Sequence, residues 1–216
     1  MDTLGMGRFF CWRGKSGKMV LSLLLSAFAL LLLCIFPRKD RLLCFFAMLL
    51  SSLGDYMLID ELEQDRMKRK IRHSFVQGGV FFMAAHVLYI LTFYCRLKEG
   101  GGFLLPLNLG SKCGIGLLVI LLVLFAVVCA VKKDFSKYPL FLAYVLLLTA
   151  DCFMAFSYSA AAFSDSFLSV FASLGAFSFM ISDLILGLNV IGGIQKFCPY
   201  LWWFYPIGQL LMIIAG

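Results

Sequence analysis

This chain predicts an all-α fold, a polytopic transmembrane helical bundle of about seven spans. Of its 216 residues, 62% are hydrophobic and only 14% charged, with a mean hydropathy of +0.95. No soluble domain of this size needs so much apolar surface, whereas a set of spanning helices does. The apolar residues also gather into runs close to the roughly 20 residues that a hydrocarbon core demands. Alternation of period two is absent, which argues against an outer-membrane barrel. One membrane-embedded helical domain over 1–216 accounts for the chain.

The runs lie at 19–36, 42–59, 75–95, 113–131, 138–158, 166–189 and 200–215, separated by charged or Pro/Gly-rich breaks. The first follows Arg13, Lys15 and Lys18, as a signal peptide would. It lacks a small-residue cleavage pattern and ends in Pro37-Arg38-Lys39, so it reads as a retained helix. Between the second and third runs, the mixed-charge insertion 60–73 reads as a solvated helix end and loop. Glu99 to Gly102 form a loop within the single domain, and Lys132, Lys133 and Lys137 part the fourth run from the fifth.

Basic residues set the expected orientation. With seven spans, 13 Lys and Arg fall on the side of the N-terminal tail and 6 on the other, so the N-terminus is expected in the cytoplasm. The net charge of +7 calls for no nucleic-acid partner, because these residues flank spans and suit anionic membrane lipids. The eight cysteines are scattered without a CxxC, and most fall inside spans as small apolar residues. The residues specify no oligomeric state.

Asp55 and Asp183 stand out because each lies inside an apolar run. An acid at membrane depth faces a partner, a cavity or a substrate. At about 1.5 Å rise per residue, Asp55 sits roughly 6 Å and Asp183 roughly 9 Å from the same end of their helices. Tyr144 and Tyr205 enter from that end at similar depth, while His86 and Gln209 lie deeper. Tyr89 follows His86 by three residues, on the same helical face. Tyr144 and Tyr205 also fit ordinary interface aromatics, and His86 an ordinary interhelical hydrogen bond. Asp151 lies over toward the other half of its helix, off-level, and is not expected in the site. Gly54 and Ser182 precede the two acids and suit close helix approach.

Two neighbouring carboxyls in an apolar setting divide their roles, one protonated as general acid and the other ionised as base or charge stabiliser. That pair suits acetal-like or enol-ether cleavage, where a carbocation forms beside oxygen. There is no GxSxG nucleophile elbow. His86, Asp55 and Asp183 could offer a nitrogen and two oxygens to zinc. With only two histidines, no HExxH and no cysteine cluster, no metal is expected.

The strings GDYMLI, FVQGGVFFMAAHVLYI, GAFSFMISDLILGLN and YPIGQLL follow in that order. Together they resemble the YhhN-like family of membrane lysoplasmalogenases, from about Lys15 onward; many relatives have eight spans. The resemblance implies a lysophospholipid substrate, a lysoplasmalogen, whose vinyl ether is cleaved to a fatty aldehyde and a glycerophospho-alcohol without a cofactor. It places the family's polar positions on Asp55, His86, Tyr89, Tyr144, Asp183, Tyr205 and Gln209, with Gly54, Gly78 and Ser182 beside them. Asp55, Asp183 and His86 are then expected to be catalytic. Tyr89, Tyr144, Tyr205, Gln209, Gly78 and Ser182 are expected to bind or border the substrate, and the basic loops to attract its phosphate. The alternative from another class is a small transporter or lipid-binding protein with a proton-relay acid pair.

Overall fold

The computed structural model describes residues 15–64, 73–100, 116, 138–163, 166–190 and 198–215. Among them all regular secondary structure is helical, with no strand. The helices are α1 (Lys15–Ile35), α2 (Lys39–Gln64), α3 (His73–Glu99), α4 (Tyr138–Ala162), α5 (Val170–Val190) and α6 (Cys198–Ile214), with a short 3-10 turn at Phe167–Ser169 before α5. Four stretches are long and apolar enough to cross a membrane: Lys39–Leu58, Val76–Glu99, Leu142–Ala162 and Phe167–Gly187. Helices α1 and α6 carry shorter apolar stretches. The expected fourth span, 113–131, lies outside the described residues apart from Gly116. So does most of the stretch linking α2 to α3, although α2 extends through Gln64 into the expected charged insertion.

Each helix separates a lipid-facing side from an inward one by a 3.6-residue period. On α1 the inward face is Ser22, Leu25, Ser26 and Ala29, while Leu23, Leu24, Leu30 and Leu31 point out. On α3 the buried stripe runs Phe82, Ala85, His86, Tyr89, Phe93 and Arg96. Such a stripe forces polar groups at its positions into the interior, where each needs a partner because lipid offers none. Pro37 stops α1, since its ring disfavours helical backbone in the residue before it.

Each helix packs on the next in sequence, and α6 returns to α1, so the six close into a ring. Helices α5 and α6 meet backbone to backbone. A Cβ on Gly208 would stand 2.7 Å from the Phe179 backbone nitrogen, and one on Gly175 would stand 2.8 Å from the Gly208 carbonyl oxygen. Small residues at such crossings let backbones touch and gain dispersion contact. Gly208→Val is therefore expected to destabilise by about 1–3 kcal/mol through overpacking, read as a lower unfolding midpoint in detergent. Gly79→Ala is the control, because nothing lies within 4 Å of the added methyl, and its midpoint should stay the same or rise.

Candidate active site

Asp55 is buried on α2 and is held from two directions. The Ser22 hydroxyl of α1 donates to its Oδ2 at 2.7 Å, and the Tyr205 phenol of α6 donates to the same oxygen at 2.6 Å. Behind Ser22 runs a line of hydroxyls, with Ser52 Oγ 2.8 Å from Ser22 Oγ and Ser26 Oγ 2.8 Å from Ser52 Oγ. Ser22 and Ser26 lie four residues apart on α1, so one face of an otherwise apolar helix delivers both.

Asp183 is the centre of a second unit. The Tyr144 phenol of α4 donates to its Oδ2. His86 lies beyond, with Nε2 at 3.6 Å from Asp183 Oδ2 and Nδ1 at 2.8 Å from Asp151 Oδ2. The imidazole is thus bracketed by two carboxyls, one at each edge of the ring. The Nδ1 hydrogen bond to Asp151 fixes the ring, and Nε2 faces Asp183 across a gap too long for a hydrogen bond. The two carboxyls approach opposite nitrogens, so they do not converge with the ring on a single point. Among the described residues, no group of three or more His, Cys, Asp or Glu is placed to hold a metal ion.

Aromatic side chains join the units. The Phe179 ring sits edge-on to His86, with centroids 4.9 Å apart, and 5.4 Å from the Tyr205 ring. Phe82 touches both Phe179 and Tyr205. Beside them, the Tyr89 hydroxyl donates to Gln209 Oε1 at 2.8 Å and rests 2.9 Å from the Met48 sulfur. Two buried nitrogens in this region have no hydrogen-bond partner, His86 Nε2 and Gln209 Nε2.

Five helices thus bring together Asp55, His86, Tyr89, Tyr144, Asp183, Tyr205 and Gln209, the seven polar positions singled out in the sequence. Gly78 and Ser182, the other two expected positions, lie on α3 and α5. A Cβ on Gly78 would meet Leu58 at 2.9 Å, which marks the contact between α2 and α3. Ser182 turns its hydroxyl back to the Phe179 carbonyl of its own helix at 2.6 Å.

The expectation for Asp151 is corrected: it belongs to the network as the partner of His86 Nδ1. Depth alone misplaced it. Tyr144 and Asp151 are seven residues apart, two turns on one face, and the His86 ring spans the levels between Asp183 and Asp151. That heptad spacing was the signal available in the sequence. Helix α1 was also missed as a contributor, although Ser22 and Ser26 marked its polar face. Removing the acid by Asp151→Ala leaves His86 Nδ1 buried and unpaired, a loss of about 1–3 kcal/mol. Asp151→Asn, which can still accept a hydrogen bond, should retain most of that stability. Thermal unfolding of the two variants in the same detergent checks the order.

No curated protein and no solved structure matches this chain. A family model does, over residues 16–216, which takes in all six helices but for the first residue of α1. On that match, together with buried acids held across membrane-spanning helices, the chain belongs to the YhhN family.

Proposed function

We propose that this protein is a lysoplasmalogenase-like hydrolase, which cleaves the vinyl ether of a lysoplasmalogen to a fatty aldehyde and a glycerophospho-alcohol. The observation that carries the reading is a pair of buried carboxyls on different helices, each held by a tyrosine phenol, with an imidazole behind one of them. Membership of the YhhN family supports it.

In this reading Asp183 is the proton donor. Its proton goes to the alkene carbon remote from the ether oxygen, and the positive charge spreads over the neighbouring carbon and that oxygen. Asp55 accepts hydrogen bonds from Ser22 and Tyr205, so it is furnished to remain an anion facing the oxocarbenium ion. Water adds to the cationic carbon and gives its proton back to Asp183. The hemiacetal then collapses: its hydroxyl gives up a proton as the carbonyl forms, the bond to the glycerol oxygen breaks, that oxygen takes a proton from Asp183, and one water is consumed in all. His86, positioned by Asp151, supplies or removes the proton at Asp183. Tyr144 holds that carboxyl in place, and Gln209, oriented by the Tyr89 hydroxyl at its Oε1, offers its Nε2 as a donor to the glycerol portion. The carboxylate end of the bundle faces the cytoplasm, as does the N-terminus, and membrane lipids surround the ring.

Asp55→Asn and Asp183→Asn should each reduce aldehyde release by about 100-fold or more, while purified protein keeps its helical circular dichroism and elution volume. Near-normal turnover in both variants would sink the acid pair. Run in D2O, the reaction should place one deuterium on the carbon next to the aldehyde carbonyl, detected by mass spectrometry after reduction to the alcohol. Aldehyde without deuterium there would remove the protonation step. If no aldehyde forms and vesicles instead show proton-dependent uptake, the acid pair is a relay in a transporter.

A further inference from the structure

The far end of the ring holds a second polar cluster that the reaction does not use. Arg96 on α3 lies ten residues beyond His86, roughly 15 Å along the helix at 1.5 Å per residue. Its Nε donates to Asp40 Oδ2 at 2.8 Å, and Arg38 Nη2 donates to the same oxygen at 3.0 Å. Arg41, from the first turn of α2, gives Nη1 to the Ile213 carbonyl at the end of α6. Three guanidinium groups therefore gather around one carboxylate.

The Arg96 side chain is only 3% exposed, yet both of its Nη atoms lack a partner. Its guanidinium stands 5.7 Å from the Phe93 ring centroid and 5.8 Å from that of Tyr158. Those aromatics fix its position and keep water from one part of its surface. Arg96 also borders a cavity of about 340 Å³, walled among the described residues by Arg38, Glu99, Tyr158, Ser166 and Leu168. A buried arginine with two unpartnered donors beside a half-open cavity suits an anion, because the planar fork matches two oxygens of one phosphate. The volume is many times the roughly 10–15 Å³ that a single water needs on the same measure, so there is room for more than a bare phosphate ion. Leu97, Leu168 and Ala162 give part of the wall an apolar character suited to the rest of an ester.

We infer that this cavity is a second binding site, in which Arg96 and Arg38 grip the phosphate of a phosphorylated ligand at the end of the bundle opposite the carboxylates. The inference is independent of the proposed reaction. Glu99 at the rim disfavours highly charged ligands, so a phosphate mono- or diester fits better than a polyphosphate.

The test uses the full chain in an uncharged detergent. The unfolding midpoint is followed while dihexanoyl phosphatidic acid, inorganic phosphate or dihexanoylglycerol is added. Phosphatidic acid should raise the midpoint saturably, and dihexanoylglycerol should not. Equal stabilisation by inorganic phosphate identifies a free phosphate as the ligand source, and stabilisation by the lipid alone identifies a headgroup. Arg96→Gln should weaken the apparent affinity at least tenfold. Should that variant fail to fold, Arg38→Gln at the half-exposed rim and Ala162→Trp, which fills the cavity, carry the test with the same expected loss. The inference is overturned if neither phosphate compound stabilises saturably, if dihexanoylglycerol does so equally, or if Arg38→Gln and Ala162→Trp bind like the parent chain.

Discussion

A carboxyl group sealed among apolar helices must be given hydrogen bonds by the protein, because the surrounding lipid gives none. Much of the interior follows from that demand. Asp55 draws Ser22 from α1 and Tyr205 from α6, while Asp183 draws Tyr144 from α4 and has His86 of α3 near it. The acids thereby tie α1, α2 and α6 at one place and α3, α4 and α5 at another. The same bonds that hold the ring closed also fix the orientation of the groups assigned to the chemistry. Their removal therefore bears on both architecture and reactivity, which is why the conservative amide replacements are more informative than truncation.

Much of this site was legible in the chain. Asp55 and Asp183 announced themselves by breaking an apolar run, and an inward stripe on α3 made His86 and Tyr89 neighbours. What reading by depth could not supply was the reach of side chains along the membrane normal. His86 is long enough to join levels that residue counting keeps apart, so Asp151 was set aside although it is the imidazole's partner. Ser22 and Ser26 stand on an otherwise apolar helix with no charge to mark them, and packing against α2 turns them into a line of hydroxyls. Helix existence and bounds were easier, since they follow from apolar length and from charged breaks.

The two ends of the ring solve the same solvation problem with opposite charge. At one end acids are satisfied by neutral hydroxyls and an imidazole, which leaves groups able to exchange protons. At the other, among the described residues, Arg38, Arg41 and Arg96 outnumber the acids Asp40 and Glu99, and both Arg96 Nη atoms are left without an acceptor. A surplus of donors is a feature of recognition rather than of proton transfer, because guanidinium stays charged at any physiological pH. The intervening stretch of α3, with Tyr89, Thr92 and Phe93 fully buried, separates the two by solid packing.

The glycine contact between α5 and α6 has a mechanical consequence. With no side chain in the gap between Gly175 and Gly208, neither helix can roll or slide without driving backbone into backbone. Asp183 and Tyr205 therefore travel as parts of one stiff plank. Compliance in the ring falls instead to the thin seam where α1 meets α6, which is bridged by the Ser22–Asp55–Tyr205 clasp.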